Sequence, residues 1–149
     1  MAELKSIIEE NARERERLVS LLNALRESDY ARVLPNGWTI GVALAHIAFW
    51  DLRAARLLEK WIQEGGQGPV LPLDADVVNA PLAVLSAAIP PKNIQKLAAE
   101  AAEKADGLVA GMTQAQVDEF LKAGSERFLL RALHRGEHLD KIEKALVND

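Results

Sequence analysis

The chain has 149 residues, of which 49% are apolar and 27% are charged, and this composition is typical of one globular domain with its own core. Its formal net charge of −4 gives no general attraction for nucleic acid or for an anionic membrane. The sequence contains no cysteine, no basic leader before an apolar segment, and no apolar run of ~18 residues, the length of a membrane span. We therefore expect a single cytoplasmic domain over residues 1–149, with neither nucleic acid nor a membrane as a partner.

The first half of the chain predicts two long amphipathic helices. In residues 3–27, apolar side chains recur at helical spacing and are interrupted by two polar residues, Asn11 and Arg15. A proline and a glycine in the stretch LPNGW end this segment. The second helix is predicted from about 40 to 64, with Thr39 placed as its N-cap. Its predicted buried stripe consists of Ala43, Ile47, Trp50, Ala54, Leu57 and Trp61.

A long connection follows the second helix. Residues 65–90 contain glycines, four prolines and the apolar stretch VVNAPLAVL, without a sustained helical period. We interpret them as a structured connection with at most a short helical turn. A connection of about 25 residues can cross the length of a helical bundle, so the third helix can run parallel to the second.

The last part of the chain predicts two more long helices and one short helix. The third long helix opens after a double proline and extends to about Met112. Thr113 and Gln116 have the spacing of a capping box, which indicates a short extra helix. The last helix is predicted from about 126 to 147, with Ser125 as its N-cap. The fold class predicted is an all-α four-helix bundle, up-down-down-up, with a long crossover between helices 2 and 3.

All three histidines fall at the edge of a predicted buried stripe. His134 and His138 are four residues apart on the last helix, so their Cβ atoms lie about 5 to 6 Å apart on one face. His46 lies at the edge of the stripe of the second helix. If these faces share a groove, three neutral imidazoles can hold Zn, Ni, Fe or Cu and leave coordination positions open. The pattern alone also fits partly buried histidines that are satisfied by hydrogen bonds.

Five more polar residues are site candidates. Asn11, Arg15 and Arg135 fall on the apolar stripes of the first and last helices, where a charge is costly unless it is paired. These three either bind an anionic group in a pocket or form an internal or intersubunit salt bridge. Asp51 and Glu137 are candidates to orient a ligating histidine, because metal-bound histidines need such a partner. No catalytic residue is predicted, and the three tryptophans are interpreted as structural residues that can also wall a pocket.

Three stretches resemble the DinB-like family. LPNGWTIGVALAHIAFWDLRAARLLEKW is similar to the second helix of that family, with its Gly-Trp-Ser/Thr entry, its histidine and its Trp-Asp pair. ALHRGEHLDKIEKAL resembles the last helix, and VNAPLA resembles a loop in the crossover. The family is related to the N-terminal domain of mycothiol-dependent maleylpyruvate isomerase and to bacillithiol transferases. This chain stops after the bundle, so the extra C-terminal domain of those isomerases is not expected.

The resemblance implies a metal site made by His46, His134 and His138. A divalent transition metal is the expected cofactor, with Zn and Ni as the first candidates. Characterised members couple low-molecular-weight thiols to electrophiles or isomerise substrates with such a thiol, and a metal lowers the pKa of a bound thiol. We therefore expect a metal-dependent thiol S-transferase or isomerase acting on a small-molecule substrate, in a chain that forms a homodimer through apolar edges. The alternative is a non-catalytic ligand-binding or stress-response bundle with a vestigial or structural metal site.

Overall fold

The computed structural model describes residues 2–70 and 73–148, and within them every regular element is a helix. The α-helices are α1 (Leu4–Ala24), α2 (Ile40–Gln63), α3 (Ala75–Ser86), α4 (Pro91–Ala110), α5 (Gln114–Ala123) and α6 (Arg131–Val147), with short 3₁₀ helices at Glu27–Ala31 and Glu126–Phe128. The all-α fold class predicted from the sequence is confirmed. Positions 71 and 72, which belong to the connection predicted over 65–90, lie outside the described residues.

Four long helices enclose the core. Both α1 and α2 pack against α4 and against α6. Small side chains let α4 approach α2 closely, and the buried face of α4 includes Ala98, Ala101, Ala102 and Ala105. The up-down-down-up order of helix directions stays a prediction. Among the described residues, no helix combines the length and the apolar character that crossing a bilayer requires.

The capping signals read from the sequence are confirmed at two helix starts. The Thr39 hydroxyl accepts a hydrogen bond from the backbone N–H of Val42 at 3.1 Å, which caps α2. Thr113 and Gln116 form the predicted capping box at the start of α5. Because α2 carries His46, its fixed start sets where that histidine enters the core.

The crossover differs from the prediction, because α3 is a full helix of 12 residues rather than a short turn. The Asp74 carboxylate caps it by accepting from the backbone N–H groups of Asp76 and Val77. Its sequence shows no helical period because apolar residues occupy the outward face as well as the inward face. Among the outward side chains, Val77, Val84 and Leu85 are 68–74% exposed. An interior proline, Pro81, further masks the helix in the sequence.

The last α-helix begins at Arg131, five residues later than predicted. Ser125 does not cap it, because the Ser125 hydroxyl accepts from the backbone N–H of Arg127 and starts the 3₁₀ helix instead. Adjacent residues Leu129 and Leu130 are both buried, and the chain must turn to place both in the core. The first helix also ends early, at Ala24, before the 3₁₀ helix Glu27–Ala31.

Asn11 on α1 takes over part of the capping at the start of α6. Its side-chain oxygen accepts from the backbone N–H of Ala132 at 2.9 Å, and its amide nitrogen donates to the carbonyl of Leu129 at 2.8 Å. The Asn11 side chain is buried, with 1% of its surface exposed. It therefore fixes the entry of the helix that carries two histidines.

Asn11→Ala is expected to lower the free energy of unfolding by about 1–3 kcal/mol, because it leaves the buried N–H of Ala132 without a partner and removes one of the two hydrogen bonds to the carbonyl of Leu129. Urea denaturation measures the change. The matched control is Asn93→Ala on the exposed side of α4, where a change within about 0.5 kcal/mol is expected. Equal losses in both variants would contradict a capping role for Asn11.

Gly136 lies inside α6 between the two histidines and is not required by crowding. A Cβ built at this position has only the Glu14 carboxylate group nearby, at 3.7–3.8 Å, which is ordinary contact. Gly136→Ala is therefore expected to raise the free energy of unfolding by about 1 kcal/mol through helix propensity. Gly107→Ala on α4, where nothing lies within 4 Å, is the matched comparison in the same urea titration. A loss of stability at position 136 alone would show that the Glu14 contact is tighter than the distances indicate.

Candidate metal centre

The three histidines of α2 and α6 meet at one point. One ligand nitrogen from each of His46, His134 and His138 can be chosen so that all lie within 4.8 Å of one another. The ring centroids are 4.5–5.0 Å apart. The Nε2 atoms of His46 and His134 lie 3.0 Å apart, and two nitrogens at ~2.0–2.1 Å from one ion are separated by about 3 Å. The predicted convergence of the three rings is confirmed.

Burial keeps all three imidazoles neutral. Desolvation is the largest cause in each case, and it lowers the pKa of His46 to about 3, that of His134 to about 2 and that of His138 to about 4. Nearby positive charges contribute to these lowered pKa values, with Arg131 acting on His134 and Lys141 acting on His138. At neutral pH each ring therefore keeps a lone pair, as a metal ligand must.

The donor set fits a divalent transition metal. Imidazole nitrogens suit Zn, Ni, Cu and Fe, and three of them leave positions open for other ligands. The Nδ1 atom of His46 is buried and has no hydrogen-bond partner among the described residues. The contact between the Nε2 atoms of His46 and His134 needs a proton on one of them, or an ion that both can bind. The three histidines are thus positioned to hold a metal ion.

Two tryptophans hold the histidine rings in place. The Trp38 ring lies 4.9 Å from the ring centroid of His46 and stacks on His138 at 6.4 Å with an interplanar angle of 18°. The Trp50 ring lies edge-on to His46 at 6.2 Å, and its N–H donates to the side-chain oxygen of Asn79 at 2.9 Å. These contacts limit the rotation of His46 and His138, which preorganises the site.

The histidines line a cavity of about 730 Å³, a volume within the range of small-molecule sites. Its other lining residues come mainly from α3, the segment before α6 and α6 itself: Asn36, Trp38, Trp50, Ala75, Asp76, Asn79, Ala80, Ser125, Arg127, Phe128, Arg131 and Lys141. Three of these residues are cations and one, Asp76, is an acid. Arg127 is paired with Glu137 and Arg131 with Asp51, so Lys141 is the cation of this wall that favours a ligand with negative charge.

A buried ion network lies beneath the cavity. The fully buried Arg135 donates to the carboxylate of Asp51 at 2.9 Å and to both oxygens of Asp106 at 2.8 and 3.0 Å. Arg131 donates to the other oxygen of Asp51 at 2.8 Å, and Arg15 donates to Asp106 at 2.6 Å. Through Arg131, whose Nη2 lies 3.4 Å from Nδ1 of His134, this network reaches the histidine cluster.

A family model described as the DinB superfamily matches residues 10–140. The chain belongs to the DinB superfamily. The matched range contains all three histidines of the cluster. Searches of curated proteins and of solved structures give no significant match. The resemblance read from the sequence is thus confirmed at the level of the superfamily.

The other candidates of this DinB superfamily protein lie outside the cavity lining. Asn11, Arg15 and Arg135 all bond to protein groups, and for both arginines this is the internal salt bridge that the sequence left open. The Glu137 carboxylate is 54% exposed and pairs with Arg127 at 3.0 Å. Among the described residues, neither Glu137 nor Asp51 bonds a histidine, and Asp51 reaches the cluster only through Arg131. Ligand binding by the first three, and histidine orientation by the two acids, stay predictions.

Sequence reasoning missed Arg131 and Asp106. Arg131 is three residues before His134 and four before Arg135, so helical spacing places it beside both residues. That spacing was a usable signal. Asp106 lies on α4 and contacts residues of α1 and α6, and no spacing within one helix indicates such contacts.

Proposed function

We propose that this DinB superfamily protein binds one divalent transition metal through His46, His134 and His138 and couples a low-molecular-weight thiol to an electrophilic small molecule. The observation that supports the proposal best is the convergence of three neutral imidazoles in the wall of a cavity of about 730 Å³. When bound, such an ion lowers the pKa of a coordinated thiol, so that thiolate is present at neutral pH.

The residues of the chain supply orientation, charge and exclusion of water. Three neutral ligands leave the full charge of the ion to act on the thiol, whereas carboxylate ligands would reduce it. Trp38 and Trp50 shield one side of the histidine cluster from solvent. Lys141 offers a cation to an anionic group of the thiol or of the electrophile, while Arg127 and Arg131 in the same wall are paired with Glu137 and Asp51.

The transfer itself balances without an oxidant or a reductant. The thiol loses its proton to solvent, and the sulfur forms a bond to the electrophilic carbon. The electron pair of the bond that breaks leaves with the leaving group. The wide cavity accommodates both reactants, which is the arrangement that raises their effective concentration.

The test uses tag-free protein reconstituted with Zn or Ni. Low-molecular-weight thiols are mixed with a soluble aryl halide, and halide release is measured with and without protein. We expect metal-dependent conjugation above the uncatalysed rate, and its loss in the His46→Ala variant. Protein that holds no stoichiometric metal after reconstitution would contradict the proposal.

The alternative of a non-catalytic binding protein is favoured by a separate observation, the cation of Lys141, which lines the cavity independently of any metal. It has a different signature in the same experiment. An anionic thiol would raise the melting temperature without turnover, and His46→Ala would leave that increase unchanged.

A further inference from the structure

A second cavity lies along a different face of α2. Its volume is about 670 Å³, and it shares no lining residue with the histidine cavity. Most of its wall is apolar, and the residues that matter here are Phe49, Leu52, Arg53, Leu57 and Trp61. Its size falls in the range of small-molecule sites.

Arg53 is a cation without a protein acceptor in the wall of this cavity. The side chain is half-buried, and its guanidinium carbon lies 5.4 Å from the ring centroid of Trp50 and 5.1 Å from that of Phe128. Among residues 2–70 and 73–148, it has no hydrogen bond and no ion pair. Two aromatic rings therefore hold the planar guanidinium group of Arg53 in one orientation, in which its N–H donors can bind a carboxylate.

The other two cations of the same wall are already paired. Arg56 lies 3.5 Å from the carboxylate of Glu59, and Lys60 lies 3.8 Å from that of Glu64. One uncompensated positive charge therefore remains in the cavity, on Arg53. This balance suits a ligand with a single negative charge.

Trp61 is the largest apolar side chain in the wall of this cavity. Its side chain is 5% exposed, and its indole N–H is buried with no acceptor among the described residues. The ring packs edge-on against Phe120 at 5.2 Å, so it does not simply turn toward solvent. Because this N–H is enclosed by protein, Trp61 contributes apolar surface to the cavity wall.

We infer that this cavity binds a free apolar monocarboxylate, such as a medium-chain fatty acid. The carboxylate pairs with Arg53, and the hydrocarbon chain lies on Phe49, Leu52 and Leu57. The site works without the metal and without the histidine cluster, because the two cavities share no lining residue and because Trp50 and Phe128, the residues of the histidine cavity that hold Arg53, are not candidate metal ligands.

The experiment titrates decanoate and decanol into the full chain by calorimetry. Decanoate is expected to bind the wild type, and Arg53→Met is expected to weaken that binding by about tenfold or more, because a charge-assisted hydrogen bond contributes about 1.5–3 kcal/mol. Methionine keeps an apolar stem against Trp50 and Phe128. The matched control is Arg13→Met, the same charge change at an exposed position of α1, with binding unchanged. Decanol is expected to bind the wild type and Arg53→Met equally.

A second variant tests the cavity even if Arg53→Met does not fold. Leu52 is 41% exposed, so Leu52→Trp is tolerated and fills the cavity, which is expected to weaken decanoate and decanol alike. His46→Ala is expected to bind decanoate as the wild type does, which separates this site from the metal centre.

Four results would overturn the inference. These are no binding of decanoate, equal binding by wild type and Arg53→Met, loss of binding in His46→Ala, and an Arg53-dependent association seen only with phosphatidylglycerol vesicles. The last result would assign the cavity to a membrane surface instead of a free acid.

Discussion

Replacing His46 with alanine is expected to reduce the metal content of tag-free protein from about one divalent ion per chain to almost none after dialysis. The two histidines that remain both lie on α6, and they lose the ligand from α2 that closes the site. Changes to outer partners of metal ligands alone cost 10–100-fold in affinity, so loss of a ligand is expected to cost more than about 100-fold. Elemental analysis after reconstitution with Zn or Ni measures the content.

Glu137→Gln is the informative control for this measurement. If Glu137 orients a neighbouring histidine, as its position between His134 and His138 suggested, the variant binds metal more weakly. Its contacts predict no change, because the carboxylate is 54% exposed and pairs with Arg127. If His46→Ala retains stoichiometric metal, the histidine cluster is not the metal site.

Helical spacing predicted the proximity of two of the three clustered histidines, and the third needed more than spacing. A pair at i and i+4 must share a face, so the meeting of His134 and His138 follows from helix geometry alone. His46 is 88 positions away from His134, and the period of a single helix does not say which other helix it faces. The resemblance of two stretches to one family, one with His46 and the other with His134 and His138, predicted that the three residues belong to the same site.

The crossover was predicted poorly for a physical reason. Periodicity reveals a helix when one face is polar, and α3 has apolar residues on both faces, including the exposed Val77, Val84 and Leu85. Pro81 removed the remaining signal, since proline usually ends a helix. The predicted start of the last helix was also wrong. Burial of both Leu129 and Leu130 outweighs the local preference of Ser125 to cap that helix.

The buried polar residues show a third limit. The apolar stripes placed Asn11 and Arg135 in the core, and both are buried. Whether Arg135 met a ligand or a carboxylate depended on Asp106, which approaches it from α4. The partner of such a buried side chain is determined by the packing of helices that are distant in sequence. The pattern of a single helix therefore does not predict that partner.

Arg135→Met is expected to lower the free energy of unfolding by about 3–5 kcal/mol, because it leaves two buried carboxylates without their shared cation. Arg135 is fully buried and bridges Asp51 and Asp106. Folded proteins of this kind have only about 5–15 kcal/mol in total, so the variant loses a large part of its stability. Urea denaturation followed by circular dichroism measures the loss.

The matched control is Arg56→Met, which breaks a single ion pair with Glu59 at the surface. A loss below about 1 kcal/mol is expected there, because water screens such pairs. A double-mutant cycle then isolates the buried interaction: Arg135→Met and Asp106→Asn are expected to be non-additive by more than about 1 kcal/mol. Additive losses would mean that Arg135 stabilises the core by packing alone. In that case the charges of Asp51 and Asp106 would be satisfied by Arg131 and Arg15, the two guanidinium groups that already bond them.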